Sequence, residues 1–155
     1  MNNKICIGRA TVYDTQDICF LNSTSLGYDY DLEKTKAKLS KIILDNSQAV
    51  FVADTGKKVV GYIHIANYDV IYADNYKNIL GIAVDNDYKR QGIGTALLTA
   101  AEKWATENGA VCVRLASGIE RTDAHKFYTK LGYSEKKLQK NFKKDLYVSE
   151  ARTKN

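Results

Sequence analysis

Hydrophobic and polar residues alternate in several short runs along the 155-residue chain. Alternation with a period of two gives a strand one apolar face, so these runs predict β-strands. Five are predicted, at 4–11, 49–53, 59–66, 76–84 and 110–116. The turn at 54–57 predicts a hairpin between the second and third strands, and Gly81 predicts a bulge or a close backbone approach in the fourth.

Apolar residues at a spacing of three or four predict four helices. The residues expected to cap or begin them are, in chain order, Asp14 or Thr15, Asp31, Thr95, and Thr122 or Asp123. Three of the helices are expected to end near Gly27, Gly109 and Gly132, since glycine adopts the left-handed conformation that stops a helix. The Lys-rich stretch at 133–148 is interpreted as two short closing strands, followed by a frayed tail at 149–155.

The predicted order, β-α-α-β-β-β-α-β-α-β-β, indicates an α+β fold. It comprises a mixed central sheet of about seven strands flanked by four helices. Antiparallel hairpins come first and a strand–helix–strand unit follows, unlike a doubly wound Rossmann sheet. The length favours one domain, expected at 1–148.

Composition narrows the class of protein. Hydrophobic residues make up 45% of the chain, and no segment has the ~20 apolar residues of a membrane span. We therefore expect a soluble, cytoplasmic protein. Cys6, Cys19 and Cys112 are odd in number and widely spaced, which favours buried thiols over a disulfide framework or a zinc site. The net charge of +5 favours an anionic partner: a nucleotide cofactor, nucleic acid or a membrane surface.

The most informative stretch is a glycine turn, QGIG at 91–94, between the fourth strand and the third helix. A helix start with glycines and nearby cations suits a phosphate. The turn is neither a G-x-G-x-x-G fingerprint, because Leu97 replaces the third glycine, nor a Walker loop, because Thr95 follows Gly94. By itself the turn is equally consistent with a helix start that binds nothing.

The wider context distinguishes these readings. Residues 82–98, IAVDNDYKRQGIGTALL, resemble the acetyl-CoA-binding motif of the GNAT superfamily of N-acetyltransferases, and 121–133, RTDAHKFYTKLGY, resemble its second motif. The segment 59–63, VVGYI, resembles the third strand of that fold. Two positions depart from the family pattern: Lys89 replaces a glutamine or arginine, and Arg121 replaces an asparagine.

The resemblance implies transfer of an acetyl group from acetyl-CoA to a primary amine within a ternary complex, without a metal. Main-chain N–H groups from Arg90 to Thr95 would hold the pyrophosphate, while Ile82 and Val84 would pair with the pantetheine arm. A backbone N–H near Val84 would stabilise the oxyanion. The residues expected to bind the cofactor are Ile82, Ala83, Val84, Lys89, Arg90, Gln91, Gly92, Ile93, Gly94, Thr95 and Arg121. Arg121 could instead contact the substrate or cap a helix in solvent.

The family also implies a general acid, at the tyrosine of its second motif, which here is Tyr128. A phenol, with a reference pKa of about 10, stays protonated at neutral pH and can donate to a thiolate, whose thiol has a pKa of about 8.5. The alternative is a core aromatic residue beside Phe127.

The general base is not evident. Many relatives place a glutamate on the fourth strand, whereas 78–84 contains no carboxylate. Asp74, Asp85 and His64 lie nearby in the sequence, but each has an ordinary explanation, and a water chain is an alternative. His125 is interpreted as a packing or orienting residue.

The acceptor amine is left open: a small metabolite, a polyamine, an aminoglycoside-like drug, or a protein N-terminus or lysine. Acidic residues at 29, 31 and 33 would suit a cation, but a solvated helix start explains the same residues and is the favoured interpretation. Two rival functions are a non-catalytic acyl-CoA binder and a nucleic-acid-binding module. The second rests on a basic cluster of Lys136, Lys137, Lys140, Lys143 and Lys144 interleaved with Phe142 and Tyr147. No nucleic-acid motif accompanies the cluster, so no nucleic-acid partner is expected. Homodimers are common in the family, but no residue here specifies one.

Overall fold

The computed structural model describes residues 4–147. The chain divides into two compact units, one ending at Ala116 and the other beginning at Ser117. The single domain expected over 1–148 stays a prediction, and the tail expected to fray at 149–155 lies outside the described residues.

The first unit contains a five-stranded sheet in the order β1-β2-β3-β4-β5. The first three pairings are antiparallel and the last is parallel. The strands are β1 (Cys6–Arg9), β2 (Gln48–Asp54), β3 (Val59–Tyr68), β4 (Tyr76–Val84) and β5 (Cys112–Leu115). All five strands predicted up to residue 116 are present, and the predicted mixed α+β architecture is confirmed. Gly56, with φ of +93°, forms the predicted hairpin turn between β2 and β3.

The structure has the four predicted helices: α1 (Thr15–Leu21), α2 (Leu32–Ile43), α3 (Ile93–Glu107) and α4 (Thr122–Lys130). A 3₁₀ turn, Val12–Asp14, leads into α1, and a π-helical turn, Asn22–Leu26, extends it to Gly27, whose φ is +75°. Asp14 occupies the N-cap position of α1, as predicted, but its side chain makes no capping bond to that helix. The capping bonds belong to the preceding 3₁₀ turn, where the Thr11 hydroxyl accepts from Tyr13 N–H and the Asp14 carboxylate accepts from Thr11 N–H at 2.8 Å.

The sheet separates α3 from α1 and α2. A core cluster joins Ile18 and Leu21 of α1, Leu39 of α2, and Tyr62 of β3. Alternation along β3 turns Gly61 to the opposite face, where it contacts α3. This two-sided burial explains why β3 is apolar along most of its length.

The described part of the second unit, residues 117–147, contains α4. Gly132, with φ of +94°, ends the helix as predicted, but Arg121 rather than Thr122 or Asp123 occupies the N-cap position. The two closing strands predicted at 133–148 do not form within the described residues 133–147, so the described sheet has five strands rather than about seven. The apolar side chains of this segment are exposed, and strands without a buried face gain little from pairing. The exposed residues include Leu138, Phe142, Leu146 and Tyr147.

Candidate functional site

Part of β4 has an outer edge without a neighbouring strand. Its parallel pairing with β5 runs from Tyr76 opposite Cys112 to Ile79 opposite Leu115. Beyond Ile79, β4 continues to Val84 with β3 on one side, and no strand of the described sheet pairs with its other side. Main-chain groups on an open strand edge can pair with an extended ligand.

A bulge separates the two halves of β4. Ile79 lies opposite Ile65 and Gly81 lies opposite His64, so Leu80 has no counterpart on β3. This confirms the irregularity predicted from Gly81. Because a bulge bends the strand that contains it, β4 changes direction where its pairing with β5 ends.

The hydrogen-bonding phase of β4 shows which groups reach the open edge. Asp85 N–H donates to the Val60 carbonyl at 2.8 Å, and paired residues alternate in an antiparallel ladder. Ala83 therefore faces β3 with its main chain, whereas Ile82 and Val84 direct their N–H and C=O groups away from β3. The Ser25 hydroxyl donates to the Val84 carbonyl at 3.0 Å, which agrees with this phase.

Asp85 organises the turn that follows β4. Its carboxylate is buried, accepts from Asp87 N–H at 2.9 Å and lies 3.7 Å from the Lys58 ammonium. The side chain also begins the short 3₁₀ turn Asn86–Tyr88. These contacts indicate that Asp85 has a structural role, which is to stabilise the turn.

The glycine turn has two residues in the left-handed region: Arg90, with φ of +63°, and Gly92, with φ of +78°. For a non-glycine residue this conformation is uncommon, and such strain clusters at functional sites. Lys89, Arg90 and Gln91 are all exposed, so two cationic side chains border the turn. The backbone therefore adopts a costly shape at the position where the sequence predicts phosphate binding.

The start of α3 leaves its first N–H groups open. Ala96 N–H makes a helical bond to the Gly92 carbonyl at 3.0 Å, and within residues 4–147 no side chain caps this end. The N–H groups of Ile93, Gly94 and Thr95 precede that bond, so they have no partner within the helix. Together with the helix dipole they form a site suited to an anion. The Ile93 side chain itself is in the core, at 4% exposed.

Gly61 fixes where α3 begins, and the sequence reasoning did not identify it as a site residue. A Cβ on Gly61 would lie 3.1 Å from both Ile93 and Leu97 and 3.2 Å from the Ala83 carbonyl oxygen. The helix therefore packs directly on the backbone of β3. The available signal was a glycine inside a strand, which often marks a close approach.

Tyr128 lies on α4 in the second unit and is half-buried. Its ring contacts Phe127 and Tyr133 edge to face, with centroid separations of 5.3 and 6.0 Å. Burial raises the pKa of the Tyr128 phenol above its usual value, and the Arg121 charge opposes that shift. The hydroxyl therefore remains a proton donor at neutral pH.

The other candidates in the second unit are positioned by local contacts. Arg121 is exposed at the N-cap of α4, and its own side chain makes no capping bond to the described backbone. His125 Nε2 lies 2.8 Å from the Gly118 carbonyl oxygen. This contact agrees with the interpretation of His125 as an orienting residue.

Two cavities lie beside the helices of the first unit. One, of about 350 Å³, is lined by Gln16, Cys19, Phe20, Ser23, Asp29, Tyr30 and Leu32. Asp29 accepts from the Ser23 hydroxyl at 2.6 Å, whereas Asp31 caps α2 by accepting from Lys34 N–H at 2.9 Å. Of the acidic residues near this connection, Asp29 thus lines the cavity and Asp31 caps α2.

The second cavity, of about 170 Å³, lies between α2 and the sheet, and His64 lines it. Burial lowers the pKa of His64 below its usual value, which favours the neutral ring. Asp74, the remaining candidate base, is exposed. The structure thus leaves His64 as the candidate base that lines a cavity.

Among residues 4–147, no group of three or more His, Cys, Asp or Glu side chains is arranged to hold a metal ion. The three cysteines, Cys6, Cys19 and Cys112, are free thiols. The expectation of buried thiols is wrong for Cys6, which is exposed. None of the described helices is long and apolar enough to cross a membrane.

The chain is similar in sequence and fold to known proteins. The family model of the acetyltransferase (GNAT) family matches residues 10–133. The aminoalkylphosphonate N-acetyltransferase of Salmonella typhimurium is 29% identical over 127 residues, covering 81% of this chain and 82% of that protein. An uncharacterized N-acetyltransferase of Methanocaldococcus jannaschii is 34% identical over 97 residues, covering 59% of this chain. The matched region spans 42% of that relative's length.

The fold has solved counterparts. The aminoglycoside N-acetyltransferase AAC(6')-Iy in complex with CoA superposes with a TM-score of 0.82 at 17% identity, covering 91% of this chain and 95% of that one. At this identity the likeness concerns the fold. With the family model covering most of the chain, the chain belongs to the acetyltransferase (GNAT) family, and its domain is that of an acetyl-CoA-dependent N-acetyltransferase.

Proposed function

We propose that this protein transfers the acetyl group of acetyl-CoA to a primary amine in a ternary complex. The observation that carries this is the continuous arrangement of an open β4 edge, a strained turn and an uncapped helix start. Pyrophosphate is assigned to the N–H groups from Arg90 to Thr95, with Lys89 and Arg90 supplying charge. The pantetheine arm is assigned to the main chain of Ile82 and Val84.

The same arrangement supports an oxyanion donor. Val84 directs its N–H away from β3, toward the edge where the thioester arm would pair. A donor fixed by the sheet stabilises a tetrahedral oxyanion without having to reorganise during the reaction. Arg121, exposed on α4, is the remaining residue assigned to the cofactor, on the strength of its place in the family's second motif.

Tyr128 is assigned the role of general acid. Its support is its place in the family's second motif, together with a pKa held above its usual value by burial. After the amine attacks the thioester carbonyl, the C–S bond breaks and the CoA thiolate takes the phenolic proton. Solvent then reprotonates Tyr128.

The experiment combines binding and turnover. Acetyl-CoA binding is measured by calorimetry, and turnover is measured with 2-aminoethylphosphonate, kanamycin A, spermidine and a peptide with a free N-terminus. The first two amines follow from the names of the relative and of the solved structure. Turnover of any of these amines supports the proposal. Binding of acetyl-CoA without turnover favours an acyl-CoA binder, and no binding contradicts the assignment of the glycine turn.

Tyr128→Phe tests the acid. We expect kcat to fall by about 100-fold or more, since general acids contribute that much, while the Kd for acetyl-CoA is unchanged. Because burial raises the pKa of Tyr128, the acid form persists to higher pH than it does in a free phenol. The wild-type rate should decline only where this phenol ionises, and the variant should lack that decline. Tyr13→Phe, at a residue 93% exposed, is the matched control. An unchanged kcat in Tyr128→Phe would contradict the role.

A homodimer stays an expectation, and light scattering at several protein concentrations measures it.

A further inference from the structure

The reaction also requires a group that removes a proton from the acceptor ammonium. β4 carries no carboxylate between Asn78 and Val84. At the bulge, however, Gly81 lies directly opposite His64 on β3. Cross-strand partners share one face of the sheet, so an imidazole stands beside the position where β4 itself has no side chain.

Hydrogen bonds define which nitrogen of His64 carries the proton. Gln48 Nε2 donates to the Asp45 carboxylate at 2.8 Å, which orients the amide. Its Oε1 atom then lies 2.7 Å from His64 Nε2. Because an amide oxygen only accepts, Nε2 is the protonated nitrogen and Nδ1 of the neutral ring keeps its lone pair.

The ring lines a partly open cavity between α2 and the sheet. The cavity of about 170 Å³ is bounded by α1, α2, β2 and β3 and their connections. Its polar lining residues are Asn22, Tyr30, Thr35, Lys38, Tyr62 and His64. The Tyr62 hydroxyl donates to Asn22 Oδ1 and lies 3.6 Å from where a Cβ on Gly81 would stand. The cavity wall thus reaches the bulge of β4.

We propose that His64 is the general base, accepting a proton on Nδ1 from the acceptor ammonium in this cavity. This inference rests on the proposed acetyl transfer. Loss of the proton frees the nitrogen lone pair, which forms the C–N bond with the thioester carbonyl carbon. Collapse of the adduct breaks the C–S bond, and the nitrogen loses its second proton. The imidazolium releases the first of these two protons to solvent. The second offsets the proton that Tyr128 gives to the thiolate.

The surroundings keep the ring ready to act as a base. Burial lowers the pKa of His64, so the neutral form predominates at pH 7. Lys38 of α2 contributes a cation to the same cavity wall, while Tyr30 and Tyr62 contribute phenols. Burial raises the pKa of Tyr62 to about 12, so its phenol stays neutral. The Asp45 carboxylate reaches the ring through Gln48.

The first measurement uses the wild-type protein with acetyl-CoA bound. The sequence has two histidines, so ¹⁵N-histidine labelling gives two ring spectra, and a His125→Gln sample identifies the His64 signals. We expect the Nε2–H tautomer with a bare Nδ1 at pH 7 and a titration midpoint below 6.5. A ring protonated on Nδ1 at pH 7 would overturn the proposal.

The second measurement compares the pH dependence of kcat/KM for wild type, His64→Gln and the control Tyr13→Phe, at a residue 93% exposed, using an amine from the panel above that the wild type acetylates. At pH 7 we expect about a 100-fold loss or more in His64→Gln, in line with the contribution of a general base. The deficit narrows toward pH 9, where the amine loses its proton to solvent. The control follows the wild-type profile.

Outcomes separate this role from the reaction itself. Failure of the wild type to acetylate any panel amine contradicts the proposed function, and the role of His64 with it. Turnover by wild type with a His64→Gln profile parallel to it overturns the role of His64 alone. Acetyl-CoA binding and circular dichroism of the variant verify that it is folded, and partial rescue by added imidazole supports loss of a base rather than of packing.

Discussion

The helices α2 and α3 begin in opposite ways. At α2 the Asp31 side chain accepts from Lys34 N–H at 2.9 Å, so the chain satisfies its own helix start. At α3 the N-cap is Gly92, and within the described chain no side chain takes the equivalent place. A glycine N-cap is about a few tenths of a kcal/mol weaker than an aspartate, so α3 forgoes a small amount of stability that α2 has. The difference teaches that an unsatisfied helix start can be as informative as a motif.

Packing explains how α3 tolerates its open end. Ile93, Leu97, Leu98 and Ala101 are all at most 4% exposed, whereas on α2 the buried residues are Thr35 and Leu39. Tertiary burial contributes more to helix stability than the ends do. The N-terminal end of α3 is thus stabilised by side-chain packing rather than by a cap, and the following variants test this contrast.

The largest effect is expected from Gly61→Ala. The new methyl group would meet Ile93 and Leu97 at 3.1 Å and the Ala83 carbonyl oxygen at 3.2 Å. Overpacking of this kind costs about 1–3 kcal/mol, and here it displaces the helix start as well. We expect a lower urea midpoint and weaker acetyl-CoA binding together. Gly8→Ala is the control, because no described atom lies within 4 Å of its added Cβ. Equal stability of the two variants would contradict the close approach.

Thr95→Glu supplies α3 with the carboxylate that it lacks. Glutamate in the first turn favours the helix dipole but repels a pyrophosphate and competes for the same N–H groups. We expect a loss of about tenfold in acetyl-CoA affinity, or ~1.4 kcal/mol, with a melting temperature equal to or above wild type. Thr99→Glu, one turn further along the exposed face, controls for charge. Calorimetry measures both, and equal affinities would show that the phosphate site lies elsewhere.

Asp31→Ala makes α2 resemble α3 at its start. Loss of the bond to Lys34 N–H should cost about 1 kcal/mol, or roughly 3 °C in melting temperature, since α2 has less burial to compensate. Acetyl-CoA affinity should be unchanged. Asp31→Asn retains an accepting oxygen and is the matched control. A loss of acetyl-CoA affinity in Asp31→Ala would mean that the two helix starts are not independent.

Much of the fold was predictable because local and tertiary preferences agree. The hairpin at Gly56, the bulge near Gly81 and the cap at Asp31 follow from conformations that those residues favour. The glycine turn was located for the same reason, since it punctuates a strand and an amphipathic helix. These signals lie within a few residues of each other, where sequence periodicity is most informative.

The remainder depended on contacts across the chain. The need for glycine at position 61 comes from its close approach to Ile93 and Leu97, which lie more than thirty positions away in the sequence. The tautomer of His64 comes from Gln48 and Asp45, which no local pattern connects to it. The Lys-rich stretch interpreted as two closing strands has no buried face to stabilise them, since Leu138, Phe142, Leu146 and Tyr147 are exposed.

The unpaired residue of the bulge, Leu80, determines how β4 would respond to a deletion. Ile79 faces Ile65 and Gly81 faces His64, so one extra residue lets two odd-numbered positions of β4 point to opposite faces of the sheet. Removing it would not delete one side chain from the strand. It would reverse inside and outside for everything on one side of the deletion, either the half paired with β5 or the half that leads into the glycine turn. A substitution in β4 changes one side chain, whereas a single-residue deletion changes which side chains are buried along half of the strand.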